Sequence, residues 1–118
     1  MAYSSFENLE VWQKACRLTV KLYEVLEDCK DYGLKNQMTR AGISIASNIA
    51  EGAERGSVAE FIRFLHIAKG SAAELRTQIY IASRINILSD QMQSELVSEL
   101  KIISSMIHAL IKSLKPKT

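Results

Sequence analysis

One stretch of the chain places polar and charged side chains at helical spacing within an otherwise apolar segment. It runs from residue 37 to residue 55 and reads QMTRAGISIASNIAEGAER. At about 100° per residue, its polar residues fall into one narrow stripe: Gln37, Arg40, Ser44, Asn48, Glu51 and Arg55. A surface helix normally has an apolar stripe with the remainder polar. The inverted pattern indicates a helix buried on several sides, within a bundle and again between subunits.

The charged members of this stripe need partners, because an unpaired charge is strongly destabilising when it is buried. A later segment, residues 69–78, supplies candidates. Glu74 is the predicted partner of Arg40. Gln78 is predicted to meet Asn48 or Ser44. The expected result is a hydrogen-bond network that fixes the register of the two helices and the geometry between subunits.

Small residues in the same later segment allow another helix to approach closely. Gly70 and Ser71 are small enough for such an approach. We therefore predict a polar seam that also serves as an oligomer interface. It comprises Arg40, Ser44, Asn48, Glu51, Arg55, Gly70, Ser71, Glu74 and Gln78. The alternative is a ligand or phosphate site lined by Arg40, Asn48 and Arg55.

An enzyme needs a constellation of reactive groups, and the histidines do not form one. The chain has two, His66 and His108. A di-iron bundle uses Glu-x-x-His on facing helices, whereas Arg63 and Ser105 occupy the positions three residues earlier. Helical ribonucleases of the HEPN kind have an arginine four to six intervening residues before the histidine, and neither histidine has one. No glycine-rich phosphate loop is present.

The sequence therefore predicts a protein with no catalytic residue, no metal site and no cofactor. An enzyme whose site is assembled between subunits, from residues such as Arg40, Glu51, His66 and Glu74, is the weakest hypothesis.

Basic residues recur on two helical faces. The first face holds Lys14, Arg17 and Lys21, at i, i+3 and i+7. The second holds Lys69, Arg76, Tyr80 and Arg84. Repeated around an oligomer, such stripes could bind an RNA or DNA backbone through salt-sensitive contacts. The alternative is two solvated faces, since acidic residues dilute the first stripe.

Size and composition indicate one globular domain over residues 1–118, with a net charge of only +2. Cys16 and Cys29 are too few for a zinc site, so buried free thiols and a reducing cytoplasm are expected. The opening residues MAYSSFENLE do not resemble a signal peptide. No apolar run approaches the length of a membrane span, so no membrane association is expected.

Hydrophobic periodicity predicts four helices joined by short turns. The first two should cover about residues 9–28 and 34–53, with a turn at 29–33. Ser57 and Glu60 form a capping-box pattern for a third helix that reaches about Ile85. Ser89 is the predicted N-cap of the last helix, which Pro116 ends. Gly52 and Gly56 suit helix ends. Short loops favour an antiparallel up-down-up-down four-helix bundle.

The motif pattern resembles a known family of small four-helix bundle proteins encoded in intervening sequences of bacterial 23S rRNA genes. The matching residues are Phe6, Leu9, Val11, Trp12, Lys14 and Ala15; then Arg40, Ala41, Ser44, Ile45, Asn48 to Gly52 and Arg55; then Phe64, Leu65, Ala68, Gly70, Ser71, Glu74, Leu75 and Gln78. One departure is the first turn, where CKDYG lacks the expected proline.

This resemblance implies a homo-oligomer, most simply a ring of five subunits. The chain is also similar to accessory proteins of diversity-generating retroelements, which bind a reverse transcriptase and nucleic acid. No enzymatic activity is established for the family, and an association with rRNA is its usual suggested role. We therefore expect a non-enzymatic cytoplasmic oligomer that acts as a binding or scaffolding module. The alternative is an accessory protein that binds RNA or DNA through the basic stripes.

Overall fold

The computed structural model describes residues 5–116, and this part of the chain is helical, without a strand. A short 3-10 helix, Phe6–Asn8, precedes four long helices. These are α1 (Glu10–Val25), α2 (Tyr32–Glu54), α3 (Val58–Arg84) and α4 (Asp90–Leu114). The predicted all-α chain with four helices is confirmed. The predicted domain covers residues 1–118, and the signal-peptide prediction concerns the segment that begins at residue 1. Both predictions therefore extend outside the described residues.

Side chains cap the starts of α2, α3 and α4. The Ser57 hydroxyl accepts from the Glu60 N–H at 3.0 Å, and the Ser89 hydroxyl accepts from the Met92 N–H at 3.1 Å. Both are predicted N-caps. Each cap satisfies a backbone donor that the first helical turn leaves without a partner. The three-residue spacing of Ser57 and Glu60 therefore correctly predicts the start of α3.

Helix α2 begins earlier than its apolar pattern suggests. Asp31 is the N-cap, and its carboxylate accepts from the Leu34 N–H at 3.1 Å. Tyr32 and Gly33 thus belong to the helix rather than to the predicted turn. The other end also differs, because Gly52 lies inside the helix and is buried. Only Gly56, with φ of +80°, has the left-handed conformation that suits a glycine after a helix end.

The helices pack in a cycle in which α1 contacts α2, α2 contacts α3, α3 contacts α4 and α4 contacts α1. Every helix contributes to a single core cluster. The largest fully buried side chains are Leu22, Leu26, Met38, Ile45, Ile49, Leu65, Leu75, Ile79, Leu96, Leu100, Ile103 and Ile107. Burying a side chain of this size contributes about 1.5–3 kcal/mol. The core therefore supplies most of the driving force for folding.

Two glycines let α2 approach its neighbours closely. A Cβ atom added at Gly42 would lie 2.8 Å from Thr19 Oγ1 on α1. One added at Gly52 would lie 2.6 Å from the Cβ of Phe64 on α3. Real Cβ contacts are not this short, so a side chain at either position requires the neighbouring residues to move.

We predict that Gly52→Ala destabilises the protein by roughly 1–3 kcal/mol, the usual range for overpacking a close contact. The matched control is Gly33→Ala, because the nearest atom to its added Cβ is 3.8 Å away, an ordinary contact distance. Urea unfolding of both variants at equal protein concentration measures the difference. Equal midpoints for the two variants would contradict the close packing of α2 against α3.

Candidate oligomer interface and nucleic-acid surface

A small hydrogen-bond network joins α2 to α3 in the middle of the polar seam. The Oγ atoms of Ser44 and Ser71 lie 2.9 Å apart. The Asn48 amide nitrogen donates to the Ser44 carbonyl at 2.8 Å and to its hydroxyl at 3.0 Å. All three side chains are half-buried. The network fixes the two helices relative to each other at one level, since each hydroxyl has a defined partner.

The predicted ion pair between Arg40 and Glu74 is wrong. The two side chains line the same surface cleft of about 360 Å³, together with Gln37 and Ser44. Within residues 5–116, however, no acidic oxygen lies within 4.0 Å of the Arg40 guanidinium. Both residues are exposed. Water solvates their charges, so the fold does not require them to pair.

The predicted contact of Gln78 with Asn48 or Ser44 is also wrong, because no side-chain hydrogen bond in residues 5–116 joins Gln78 to either residue. Gln78 is 8% exposed, and its Oε1 atom finds no hydrogen-bond partner in residues 5–116. An unsatisfied buried polar group of this kind costs about 1–3 kcal/mol. Among the residues of the polar seam, Gln78 is therefore the one whose hydrogen-bonding groups are least well satisfied within one chain.

The other end of the seam lies beside the α2–α3 turn and forms two ion pairs. Glu51 accepts from Arg55 at 3.0 Å, and Glu60 accepts from Arg63 at 2.7 Å. Both guanidinium groups lie over the ring of Phe64, 4.8 Å and 4.5 Å from its centroid. The hydrogen bond from Arg63 holds the pKa of Glu60 below its ordinary value. Glu60 in turn raises the pKa of Arg63.

Gly70 is exposed and lies on the outside of α3. Apart from its chain neighbours and the nearby backbone of α3 itself, no atom of residues 5–116 lies within 4 Å of the place where its Cβ would be. Glycine inside a helix costs about 1 kcal/mol relative to alanine. No contact within the chain uses the missing side chain, so the close approach expected at Gly70 does not occur inside one subunit. Its close-packing role belongs instead to Gly42 and Gly52.

An apolar groove between α1 and α2 was not foreseen from the sequence. Its volume is about 380 Å³, and it contains no charged lining residue. The lining residues are Trp12, Cys16, Thr19, Val20, Tyr23, Ile43, Ala46, Ser47 and Ala50. Val20, Tyr23 and Ile43 are 59%, 48% and 45% exposed. In the sequence these residues fall outside the stripe of apolar residues that faces the core, and this position was the available sign of an exposed apolar surface.

Both cysteines are free and half-buried, so the prediction of buried thiols is only partly correct. Cys16 lies in the apolar groove. Burial raises the pKa of the Cys16 thiol, and the nearby charge of Arg17 offsets part of the effect. A raised pKa disfavours the thiolate, which is the reactive form.

The first basic stripe does converge on one cleft. Lys14, Arg17 and Lys21 line a cavity of about 210 Å³ between α1 and α4. Lys21 pairs with Glu99 at 3.4 Å, and Lys14 lies 3.9 Å from Glu10. Arg17 has no acidic partner within 4.0 Å in the described part of the chain. Arg17 is thus the cation of this stripe that is most available to an external anion.

The second basic group is more dispersed. Tyr80 and Arg84 line a shallow pocket with Thr77 and Ile81. Lys69 lies instead towards α4, with its Nζ atom 3.5 Å from Nδ1 of His108. Arg76 is half-buried and does not line that pocket. These side chains therefore do not form one continuous surface.

Both histidines are exposed, His66 on α3 and His108 on α4. Across the described ranges, no three His, Cys, Asp or Glu side chains cluster closely enough to hold a metal ion. None of the helices between residues 5 and 116 has the length and hydropathy needed to cross a membrane.

Comparison with known proteins matches this helical arrangement. The family model of the 23S rRNA-intervening sequence protein matches residues 7–109. The chain belongs to this family. No curated protein matches it in sequence. The crystal structure of a protein of unknown function from the S23 ribosomal protein family of Bacteroides thetaiotaomicron is similar, with a TM-score of 0.81 and 25% identity. The similarity covers 86% of this chain and 98% of that one.

Membership in the 23S rRNA-intervening sequence protein family confirms the resemblance of the sequence motifs. Those motifs include the seam residues, whose positions span α2 and α3. Family membership assigns them no role, because neither the family description nor the similar structure states a function.

The ion pair at the start of α3 predicts a pH-dependent contribution to stability. The pKa of Glu60 is lowered in the folded protein, while the unfolded chain keeps the ordinary value of 4.5. The stabilisation is therefore present above pH 4.5 and is lost as the pH falls through the folded pKa. We expect Glu60→Gln to be less stable than the parent at pH 7, with the difference shrinking at acidic pH.

Chemical unfolding at several pH values between neutrality and pH 3 tests this expectation. Glu95→Gln is the control, because Glu95 is exposed and forms no ion pair within residues 5–116. A stability difference between parent and Glu60→Gln that does not vary with pH would rule out the role of the carboxylate charge.

Proposed function

We propose that this protein is a non-catalytic, homo-oligomeric four-helix bundle that acts as a binding or scaffolding module in the cytoplasm. Its helices run up-down-up-down, and its subunits assemble as a ring of five. The observation that carries the proposal is the apolar groove between α1 and α2, where Val20, Tyr23 and Ile43 remain about half-exposed. A contiguous exposed apolar surface is typical of an interaction site.

Contacts between successive helices support the antiparallel arrangement. Along α2 and α3, Ser44 pairs with Ser71, whereas the later residue Gly52 lies against the earlier residue Phe64. The same inversion relates α3 to α4, where Lys69 approaches His108 and Ser83 donates to Asp90. Residue numbers that rise on one helix and fall on its neighbour are what antiparallel packing produces.

A non-catalytic role is supported by the surroundings of the reactive side chains. His108 has the amine of Lys69 as its neighbour, and the raised pKa of Cys16 disfavours its thiolate. Neither arrangement activates a nucleophile or poises a general base. Two free thiols also suit the reducing cytoplasm. The ring of five follows from the family resemblance.

We expect multi-angle light scattering on a sizing column to give a stable mass of about five subunits, unchanged between low and high salt, because apolar contacts are not screened by ions. The measurement is repeated over a range of protein concentrations. A clean monomer at every concentration would refute the oligomer and with it the scaffolding role.

A second candidate function is nucleic-acid binding, and the position of Arg17 favours it. Its guanidinium lies in the α1–α4 cleft, flanked by Lys14 and Lys21, and no acidic oxygen of residues 5–116 lies within 4.0 Å of it. In a symmetric oligomer this cleft would be repeated once per subunit. Several weak contacts to one RNA backbone would then act together.

We expect the triple variant Lys14→Glu, Arg17→Glu, Lys21→Glu to lose salt-sensitive binding to a fragment of 23S rRNA. The plot of log affinity against log salt concentration should become shallower, because up to about three phosphate contacts per subunit are lost. The matched control carries the same charge change at the exposed positions Lys101 and Lys112 of α4 and at Lys115, which follows the helix. Equal loss of binding in both variants would indicate a general charge effect rather than a site in the cleft.

A further inference from the structure

The outer face of α3 is a second surface that the chain leaves without a partner. It consists of residues at helical spacing that are all exposed: Ile67, Gly70, Ala73, Thr77, Tyr80 and Ile81. Gly70, Ala73 and Thr77 give the middle of this face small side chains, and larger apolar ones lie at its ends. The exposed carboxylate of Glu74 lies at the same level, on the side of the face that borders α2. Ile81 is 50% exposed. The face thus has a smooth ridge that another surface can approach closely.

The apolar groove between α1 and α2 has the complementary shape. It is concave and uncharged, and small residues of α2, such as Ala46 and Ala50, form part of its lining. A helix that enters such a groove must itself have small side chains along its centre. Gly70 meets this requirement, and the interior of its own subunit does not use its missing side chain.

Charges at the ends of the two surfaces are also complementary. Arg84 extends the outer face of α3 by one turn beyond Tyr80 and has no acidic partner within 4.0 Å in the described chain. Glu24 and Glu27 follow Tyr23 at one end of the groove, and both are exposed without a basic partner in residues 5–116. Seating the α3 ridge in the groove can bring these opposite charges together, which favours one orientation of docking.

We propose that the outer face of α3 of one copy docks into the α1–α2 groove of a second copy. The proposal rests on the homo-oligomerisation proposed above and names the surfaces that carry it. Because the two surfaces are different parts of the chain, the contact is head-to-tail. Every subunit then offers one free groove and one free ridge, and repetition of the contact closes a ring or extends a filament.

The experiment uses two variants that each damage one surface. Val20→Glu places a charge in the groove, and Ile81→Glu places one on the α3 ridge. The control is Val58→Glu, at an exposed valine of α3 that lies off the ridge. We expect light scattering to give a monomer for Val20→Glu and for Ile81→Glu, and the mass of the parent for Val58→Glu.

Mixing the two damaged variants tests the head-to-tail geometry directly. The Ile81→Glu chain keeps an intact groove, and the Val20→Glu chain keeps an intact ridge. An equimolar mixture should therefore form a dimer that cannot grow further. A groove that pairs with another groove would instead be broken by Val20→Glu and unaffected by Ile81→Glu.

The outcomes separate this proposal from the proposed function. An oligomeric parent whose mass survives both single substitutions, or a mixture that stays monomeric, would overturn the docking of α3 while leaving the oligomer intact. A monomeric parent would overturn both. If a glutamate variant fails to fold, a double-cysteine variant is used instead. It carries Ile43→Cys and Ala73→Cys in a chain from which Cys16 and Cys29 have been removed. A short bis-maleimide should then give covalent multimers, and their absence from the oligomeric protein would overturn the docking.

Discussion

The close approach of α2 to its two neighbours is the constraint on which the rest of the structure depends. Glycines at positions 42 and 52 remove the side chains that would keep α1 and α3 away. The apolar side chains of α2 can then reach the core, where Ile45 and Ile49 are fully buried. Moving α2 outward would open gaps along the whole core, because protein interiors tolerate few voids.

The same close approach explains how an apolar helix accommodates a polar stripe. Only Ser44 and Asn48 of the stripe enter a network between helices, and both side chains are short. The longer charged residues at either end of the stripe reach solvent. Short hydroxyl and amide groups can be satisfied at a close helix–helix contact, whereas charged groups there would lose their hydration. The seam is therefore a narrow structural contact with solvated ends.

Among the described residues, the charged side chains lie outside the core. The ion pairs lie at the surface, and the buried side chains are nearly all apolar. Apolar surface nevertheless remains outside the core, in the groove without charged residues between α1 and α2. Contiguous exposed apolar surface is typical of interaction sites, and it is the basis on which we propose protein partners. The basic cleft between α1 and α4 is a separate surface, so the proposed protein contacts and the proposed nucleic-acid contacts need not compete.

The sequence by itself determined the helices, their caps at Ser57 and Ser89, and membership in the family. These features depend on residues close together in the chain, where a period of 3.6 and a hydroxyl at the right position suffice. Only the tertiary structure decided which residues meet across helices. The spacing that suggested Arg40 with Glu74, and Gln78 with Asn48, gave the shared face but not the rotation of one helix against the other. A rotation of a few tens of degrees separates a contact from two solvated side chains, and packing of the whole core sets that angle. For the same reason, the apolar groove could not be predicted from the sequence, because it forms only where the tertiary structure brings α1 and α2 side by side.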